Sequence, residues 1–265
     1  MSLKLAVVGG GVMAEAIVSR LIAQERYLTQ DVLVCDVSSV RLSYWRETHN
    51  VQTSADNQSA LAAEVILFAI KPQVFKTLAQ QLQLGSSALV ISILAGVTLA
   101  QLEGAFAGQP IIRAMPNTPA MVGAGITALA VGSAAQDHHL ELAQQLFDAV
   151  GKVVVVPDSM MDAVTGLSGS GPAYVAIAIE ALTDGGVAAG LPRAIAAQLA
   201  LQTVQGTATL LAESGLHTSQ LKDQVTSPGG TTIAGVRALE ESGFRSALIE
   251  AVQAAYLRSQ ALAQT

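Results

Sequence analysis

The chain has 265 residues, 51% of them hydrophobic and only 4% aromatic, with 14 basic against 20 acidic side chains and a formal charge of −6. That length bounds it to one large domain or two small ones. A pI near 5.1 with no run of Lys or Arg excludes the electrostatic footprint of a nucleic-acid or anionic-membrane binder, so neither partner is expected.

The mean hydropathy of +0.47 raises the question of a membrane span. The longest apolar stretch, residues 88–100, falls short of the ~18–20 residues a spanning helix needs and is interrupted by Ser92, Gly96 and Thr98. Near the N-terminus the apolar run from Leu5 to Val8 is cut at once by Gly9, Gly10 and Gly11, with no export-type segment after it. The expectation is a soluble cytoplasmic protein. A single cysteine, Cys35, excludes an intramolecular disulfide and reads as a buried strand position. The four histidines are scattered and propose no metal site.

Apolar runs at residues 5–8, 32–35, 65–70, 89–94, 111–114 and 153–156 alternate with helix-spaced segments such as 14–24 and 140–150. That alternation predicts βαβ units and a doubly wound parallel sheet covered on both faces. After about residue 159 the strand pattern stops. Helices are predicted over 172–185, 192–214, 232–241 and 244–263, so the boundary falls near 160, giving domains 1–160 and 161–265. The segment 173–182 is apolar nearly all round, with Glu180 its only charge, and the next helix carries a single polar stripe of Gln198, Gln202, Gln205 and Thr209. A helical half of about 105 residues has little interior in which to hide such surfaces, which predicts an obligate homodimer.

Residues 9–14 fit G-x-G-x-x-A between a strand and a helix. Gly9 permits the tight turn, Gly11 lets the backbone approach a pyrophosphate, and Ala14 allows close helix–strand packing, with the helix N-terminus supplying partial positive charge. Asp36 ends the next strand, where a ribose-binding carboxylate belongs. These features predict dinucleotide binding. Asp36 favours NADH, because it would repel a 2′-phosphate by roughly 4 kcal/mol at 4 Å and an effective dielectric of 20. Ser38, Ser39 and Arg41 are donors that would hold that phosphate if Asp36 swung away, so the sequence leaves NADPH and NADH both open. Two further loops end predicted strands at the ligand-binding edge, Ala69 to Pro72 and Arg113 to Pro119, and the second reads as a rigid polar display that includes Asn117.

The helical half carries two glycine-rich breaks, residues 168–172 and 227–232. Each is expected to open a helix and to offer free N–H groups and hydroxyls to a carboxylate-bearing substrate. No histidine stands in a promising loop, so a hydride acceptor that is already electrophilic is favoured. A protonated imine fits, with Thr232 bonding its nitrogen.

With these residues assembled, the chain resembles pyrroline-5-carboxylate reductase, through residues 9–14, 69–72, 92–98, 113–120, 162–174 and 223–235. The resemblance implies an N-terminal Rossmann-type domain and an all-α C-terminal dimerisation domain. It implies reduction of L-1-pyrroline-5-carboxylate to L-proline by NADPH or NADH, at active sites built across a subunit pair. Carried over by position, Ser227, Gly230, Thr231 and Thr232 contact substrate; Gly11, Val12 and Met13 meet the pyrophosphate; Ala69, Lys71 and Ala95 lie toward the ribose and nicotinamide; Asn57 falls near the adenosine. Asp36 is unusual for a family that often uses NADPH, and His217-Thr218 replaces a more frequent His-Pro. Two rivals are a related reductase acting on another cyclic imine or hydroxy acid, and a non-catalytic dinucleotide sensor. The first predicts an acid–base residue in the substrate loops, which here offer Ser, Gly and Thr; the second has no need of an intact 227–232 loop.

Overall fold

The computed structural model describes residues 3–85 and 88–263. The chain forms two compact units, Met1–Ser170 with Ala254–Thr265, and Gly171–Gln253. In the first, β1 (Leu3–Val8), α1 (Val12–Ala23), β2 (Val32–Cys35), α2 (Ser39–His49), β3 (Gln52–Ser54), β4 (Ala63–Phe68), α3 (Pro72–Gln81), β5 (Leu89–Ser92), α4 (Leu99–Ala105) and β6 (Ile111–Met115) are followed by β7 (Gly125–Val131), α5 (Asp137–Asp148), β8 (Gly151–Val155) and the single turn α6 (Met161–Val164). The eight strands lie in the order β3-β2-β1-β4-β5-β6-β7-β8.

Strands buried on both faces must be apolar at every position, and the period of two along a strand then divides them between two cores. Leu5, Val7, Val32, Val34, Val65, Leu67, Leu89 and Ile91 enter one core with Ile17, Leu21, Trp45 and Phe147. Ala6, Val8, Leu33, Cys35, Ile66, Phe68 and Val90 enter the other, where Phe68 stacks on Phe106 at 5.5 Å and meets Phe75 edge-on at 6.5 Å. These few aromatics suffice because the small aliphatic residues let the helices approach closely.

The sheet departs from the expected all-parallel form at one place. β7 runs antiparallel to β6, with Ile112 opposite Val131 and Met115 opposite Ala128, while β7 and β8 are parallel to each other. The connection between β6 and β7 is residues 116–124, too short for the dozen or more residues a parallel crossover requires. Neither β7 nor the polar edge strand β3, with sequence Gln-Thr-Ser, stood out as an apolar run of its own.

The second unit is helical: α7 (Gly171–Ala188), α8 (Arg193–Ser214), α9 (Thr218–Gln224), α10 (Thr231–Glu241) and α11 (Phe244–Ala263), whose last residues from Ala254 belong to the first unit. In that last stretch the buried Ser259 hydroxyl donates to Asp162 Oδ1 at 2.7 Å, joining α11 to α6. The 168–172 break opens α7 at Gly171, as expected, but not out of an extended loop. A wide helical turn, Thr165–Gly169, follows α6, with Ser170 N donating to Thr165 O at 2.9 Å, five residues back. The Thr165 and Ser168 hydroxyls donate back to the carbonyls of Met161 and Val164. A Cβ on Gly169 would lie 2.9 Å from Met115 Cε, so the turn packs closely there.

Only Thr183 of α7 and Ala196 and Ala200 of α8 are buried, whereas Ile177, Leu182, Leu199 and Leu201 are each more than half exposed. Two adjacent helices with apolar residues at this exposure call for a covering subunit. Among the described residues no helix is long and apolar enough to cross a membrane. Ile177→Glu places a charge in the exposed apolar face of α7 and is expected to convert a dimer to monomer in sedimentation velocity, with helical circular dichroism unchanged. A variant that sediments as wild type would show that α7 is not in the interface.

Candidate active site

The candidate site of the first unit is the turn from β1 into α1. Gly9 has φ of +100°, and a Cβ there would lie 2.7 Å from Ala69 O, so only glycine allows β1 and β4 to approach at the point where strand order reverses. A Cβ on Gly10 would lie 2.6 Å from Trp45 Nε1. At Gly11, by contrast, nothing stands within 4 Å of the Cβ position. Gly11 is the N-cap of α1 and has no side-chain cap, so the first-turn N–H groups of Val12 and Met13 face an open cradle at the positive end of a twelve-residue helix. A dinucleotide pyrophosphate fits that donor set. Ala14, fully buried, packs the helix onto the sheet.

The Gly10 peptide is held from several directions. Its N–H donates to Asp36 Oδ2 at 2.7 Å, and its carbonyl accepts from Arg41 Nε at 2.7 Å and from Trp45 Nε1 at 3.0 Å. Asp36 Oδ1 accepts from Ser38 N at 2.8 Å, and the Ser38 hydroxyl in turn caps α2. Arg41 also reaches Glu15 Oε2 at 2.9 Å, and Tyr44 donates to the other Glu15 oxygen. Burial alone would raise the Glu15 carboxyl, but the Tyr44 and Arg41 hydrogen bonds and the charges of Arg41 and His49 hold it below the ordinary carboxylate range. Trp45 and Glu15 were not singled out from the sequence. The signal available was helical spacing, since Arg41 and Trp45 lie four apart on α2 and share its face toward the glycine turn. Cys35, at the end of β2, has its thiol pushed up to about 12 by burial and the charge of Asp56, so it stays a neutral core group.

Main-chain bonds bring the other expected cofactor residues to the same carboxyl edge. Gly9 N donates to Cys35 O, Ala69 N to Val8 O and Ile93 N to Phe68 O, which sets the ends of β1, β2, β4 and β5 in one row. Ala69 and the exposed Lys71 follow β4, Pro72 occupies the first turn of α3, and Ala95 lies in the loop before α4. Asn57 begins the short turn after β3, whose Ser54 O accepts from Asp36 N. β6 and the loop after it turn polar groups inward. Arg113, 3% exposed, pairs with Asp158 at 2.7 Å, and Asp158 also accepts from Leu99 N at the start of α4. Asn117 Oδ1 accepts from Ile126 N at 3.0 Å and so tethers β7.

The helical unit carries a candidate site of its own, the turn from Ser227 to Thr232. Gly229 has φ of +67°, Gly230 N donates to Ser227 O, and a side chain on Gly230 would collide with Ser227 Oγ. Gly230 is the N-cap of the eleven-residue α10 and supplies no side-chain cap. The Thr231 and Thr232 hydroxyls stand beside these N–H groups with no hydrogen bond among the described residues. Donors with a helix dipole behind them and neutral hydroxyls alongside suit a small carboxylate next to a polar nitrogen. Among the described residues no group of three or more His, Cys, Asp or Glu could hold a metal ion.

Comparison with known proteins shows what the chain as a whole is similar to. Residues 158–262 match the family model for pyrroline-5-carboxylate reductase dimerisation, and residues 4–96 match that for NADP oxidoreductase, coenzyme F420-dependent. The pyrroline-5-carboxylate reductase of Synechocystis sp. is 57% identical over 99% of both chains. The structure of the enzyme of that name from Coxiella burnetii is 36% identical, covers 100% of both chains and superposes with a TM-score of 0.89. The pyrroline carboxylate reductase of Plasmodium falciparum, solved with NADP bound, is 29% identical over 98% of both chains, with a TM-score of 0.91.

The bracing by Glu15 carries a pH dependence. Its lowered folded value means that its contribution to stability is complete above the ordinary 4.5 and is lost as pH falls through the folded value. Glu15→Gln is therefore expected to flatten the acid limb of a thermal-stability profile between about pH 6 and about pH 3. An acid limb as steep as wild type would remove Glu15 from the bracing.

Proposed function

The chain belongs to the pyrroline-5-carboxylate reductase family, and on that premise we propose that it reduces L-1-pyrroline-5-carboxylate to L-proline with NADPH or NADH, the last step of proline synthesis. When bound, the reduced nicotinamide supplies the hydride that the imine carbon accepts.

In this reading residues 1–160 bind the coenzyme, and residues 161–265 bind substrate and join two subunits into a cytoplasmic homodimer. Gly9, Gly11, Val12 and Met13 hold the pyrophosphate by main-chain approach. Asp36, Ser38 and Asn57 take the adenosine end, while Ala69, Lys71, Pro72, Ala95 and Asn117 line the ribose and nicotinamide side. Ser227, Gly230 and Thr231 hold the substrate carboxylate. Thr232 donates to or accepts from the ring nitrogen and orients the C=N bond, which becomes a secondary amine once the carbon has taken hydride and the nitrogen carries its proton. An imine already protonated needs no strong acid, which suits a turn built of Ser, Gly and Thr.

The observation that supports this most directly is the uncapped start of α10, with two threonine hydroxyls beside it that have no hydrogen-bond partner among the described residues. Purified protein is expected to consume NADPH or NADH only when pyrroline-5-carboxylate is added; no consumption with either coenzyme would overturn the reading. Thr232→Val is expected to lower kcat by about 10²-fold while coenzyme affinity, read by fluorescence titration, stays within about twofold. Equal losses in both would remove Thr232 from its role.

A further inference from the structure

We propose that Asp36 makes this chain an NADH-preferring enzyme, because its carboxylate is locked in place where a 2′-phosphate would have to sit. The proposal rests on the dinucleotide-binding reading above, but not on the identity of the substrate.

A carboxylate ending β2 can be tolerant of a phosphorylated ribose if it is free to turn away and a cation replaces it. Here neither condition is met. Asp36 Oδ2 accepts from Gly10 N at 2.7 Å and Oδ1 from Ser38 N at 2.8 Å. Both donors are main-chain amides that cannot follow a moving side chain. The Gly10 carbonyl is bonded to Arg41 and Trp45, and Ser38 caps α2. Swinging Asp36 away would leave two amides unsatisfied at the rim of the glycine turn.

Arg41 is the cation placed to compensate a phosphate, and it is committed elsewhere. Its Nε is on Gly10 O, a terminal nitrogen is on Glu15, and its guanidinium lies 4.7 Å over the Tyr44 ring. Of the other charged groups nearby, Arg46 is bonded to Ser43 and His49 faces Glu15. Asp56, following β3, adds a further negative charge. A ribose bearing free hydroxyls meets this arrangement differently. Each Asp36 oxygen keeps a lone-pair direction for an O–H donor, whereas a 2′-phosphate at neutral pH offers charge and acceptors.

Binding to the purified wild-type protein tests this without turnover. By calorimetry, NADH is expected to bind about tenfold or more tighter than NADPH, and AMP tighter than adenosine 2′,5′-bisphosphate by a similar factor. Asp36→Ser is expected to reduce both ratios about tenfold or more, with the kcat/KM ratio of the two coenzymes following. NADPH binding as tightly as NADH to wild type overturns the proposal, as does an Asp36→Ser variant that folds and keeps both ratios. Should the variant fail to fold, the wild-type pair of AMP and adenosine 2′,5′-bisphosphate still decides. A protein that binds NADH selectively but does not reduce pyrroline-5-carboxylate would refute the substrate assignment and leave this proposal standing.

Discussion

A helix start can bind an anion only if its N–H groups stay unpaired and aimed, and in this protein the Gly10 peptide makes that possible. Its two polar atoms are satisfied from behind by Asp36, Arg41 and Trp45. The next residue, Gly11, is left facing open space with the first turn of α1 beyond it. The division of labour among three consecutive glycines follows. Gly9 takes the positive φ and clears Ala69, Gly10 clears the indole, and Gly11 leaves room for the ligand. A methyl group at any of the three would act on a different partner.

The bracing extends through the sheet because β1 lies between β2 and β4. The chain leaves β1 toward one side and returns on the other, so the loops after β1 and β4 separate at the carboxyl edge and open a crevice. Asp36 ends the strand on one flank and Ala69 the strand on the other. The same edge carries the loop before α4, whose first N–H is bonded by Asp158, itself paired with the buried Arg113. Charged groups at this edge are thus largely used to hold main chain in place, which leaves ligand recognition to amides and small hydroxyls. The helical unit repeats the device at the start of α10, where Gly230 takes the place of Gly11 and two threonines flank the free donors. Each unit therefore offers oriented main-chain dipoles at a helix start, a device that suits positioning more than strong acid or base chemistry.

The first unit was legible because β1, β2, β4 and β5 are largely buried on both faces, so their runs are almost wholly apolar and stand out from their surroundings. β3 escaped because a three-residue edge strand of Gln, Thr and Ser carries no burial pattern, and β7 because it sits within a glycine- and proline-rich region. The direction of β7 depends on the shortness of residues 116–124, information that an apolar run does not carry. In the 168–172 segment the helix start at Gly171 was legible, but the wide turn leading into it from α6 was not, because Gly-Ser-Gly-Pro reads as a break in the chain rather than as helix.

The sequence by itself determined which residues form the two ligand-binding turns, since glycine spacing, a following helical pattern and the flanking hydroxyls are local properties. It also determined the family, through motifs spread along the whole length. Only the tertiary structure decided what Asp36, Arg41, Glu15 and Trp45 do to one another. They come from α1, α2 and the end of β2, and the packing of α2 against the β1–α1 turn makes them neighbours. Whether a carboxylate can move depends on which amides it meets, and that is set by packing between elements distant in the chain.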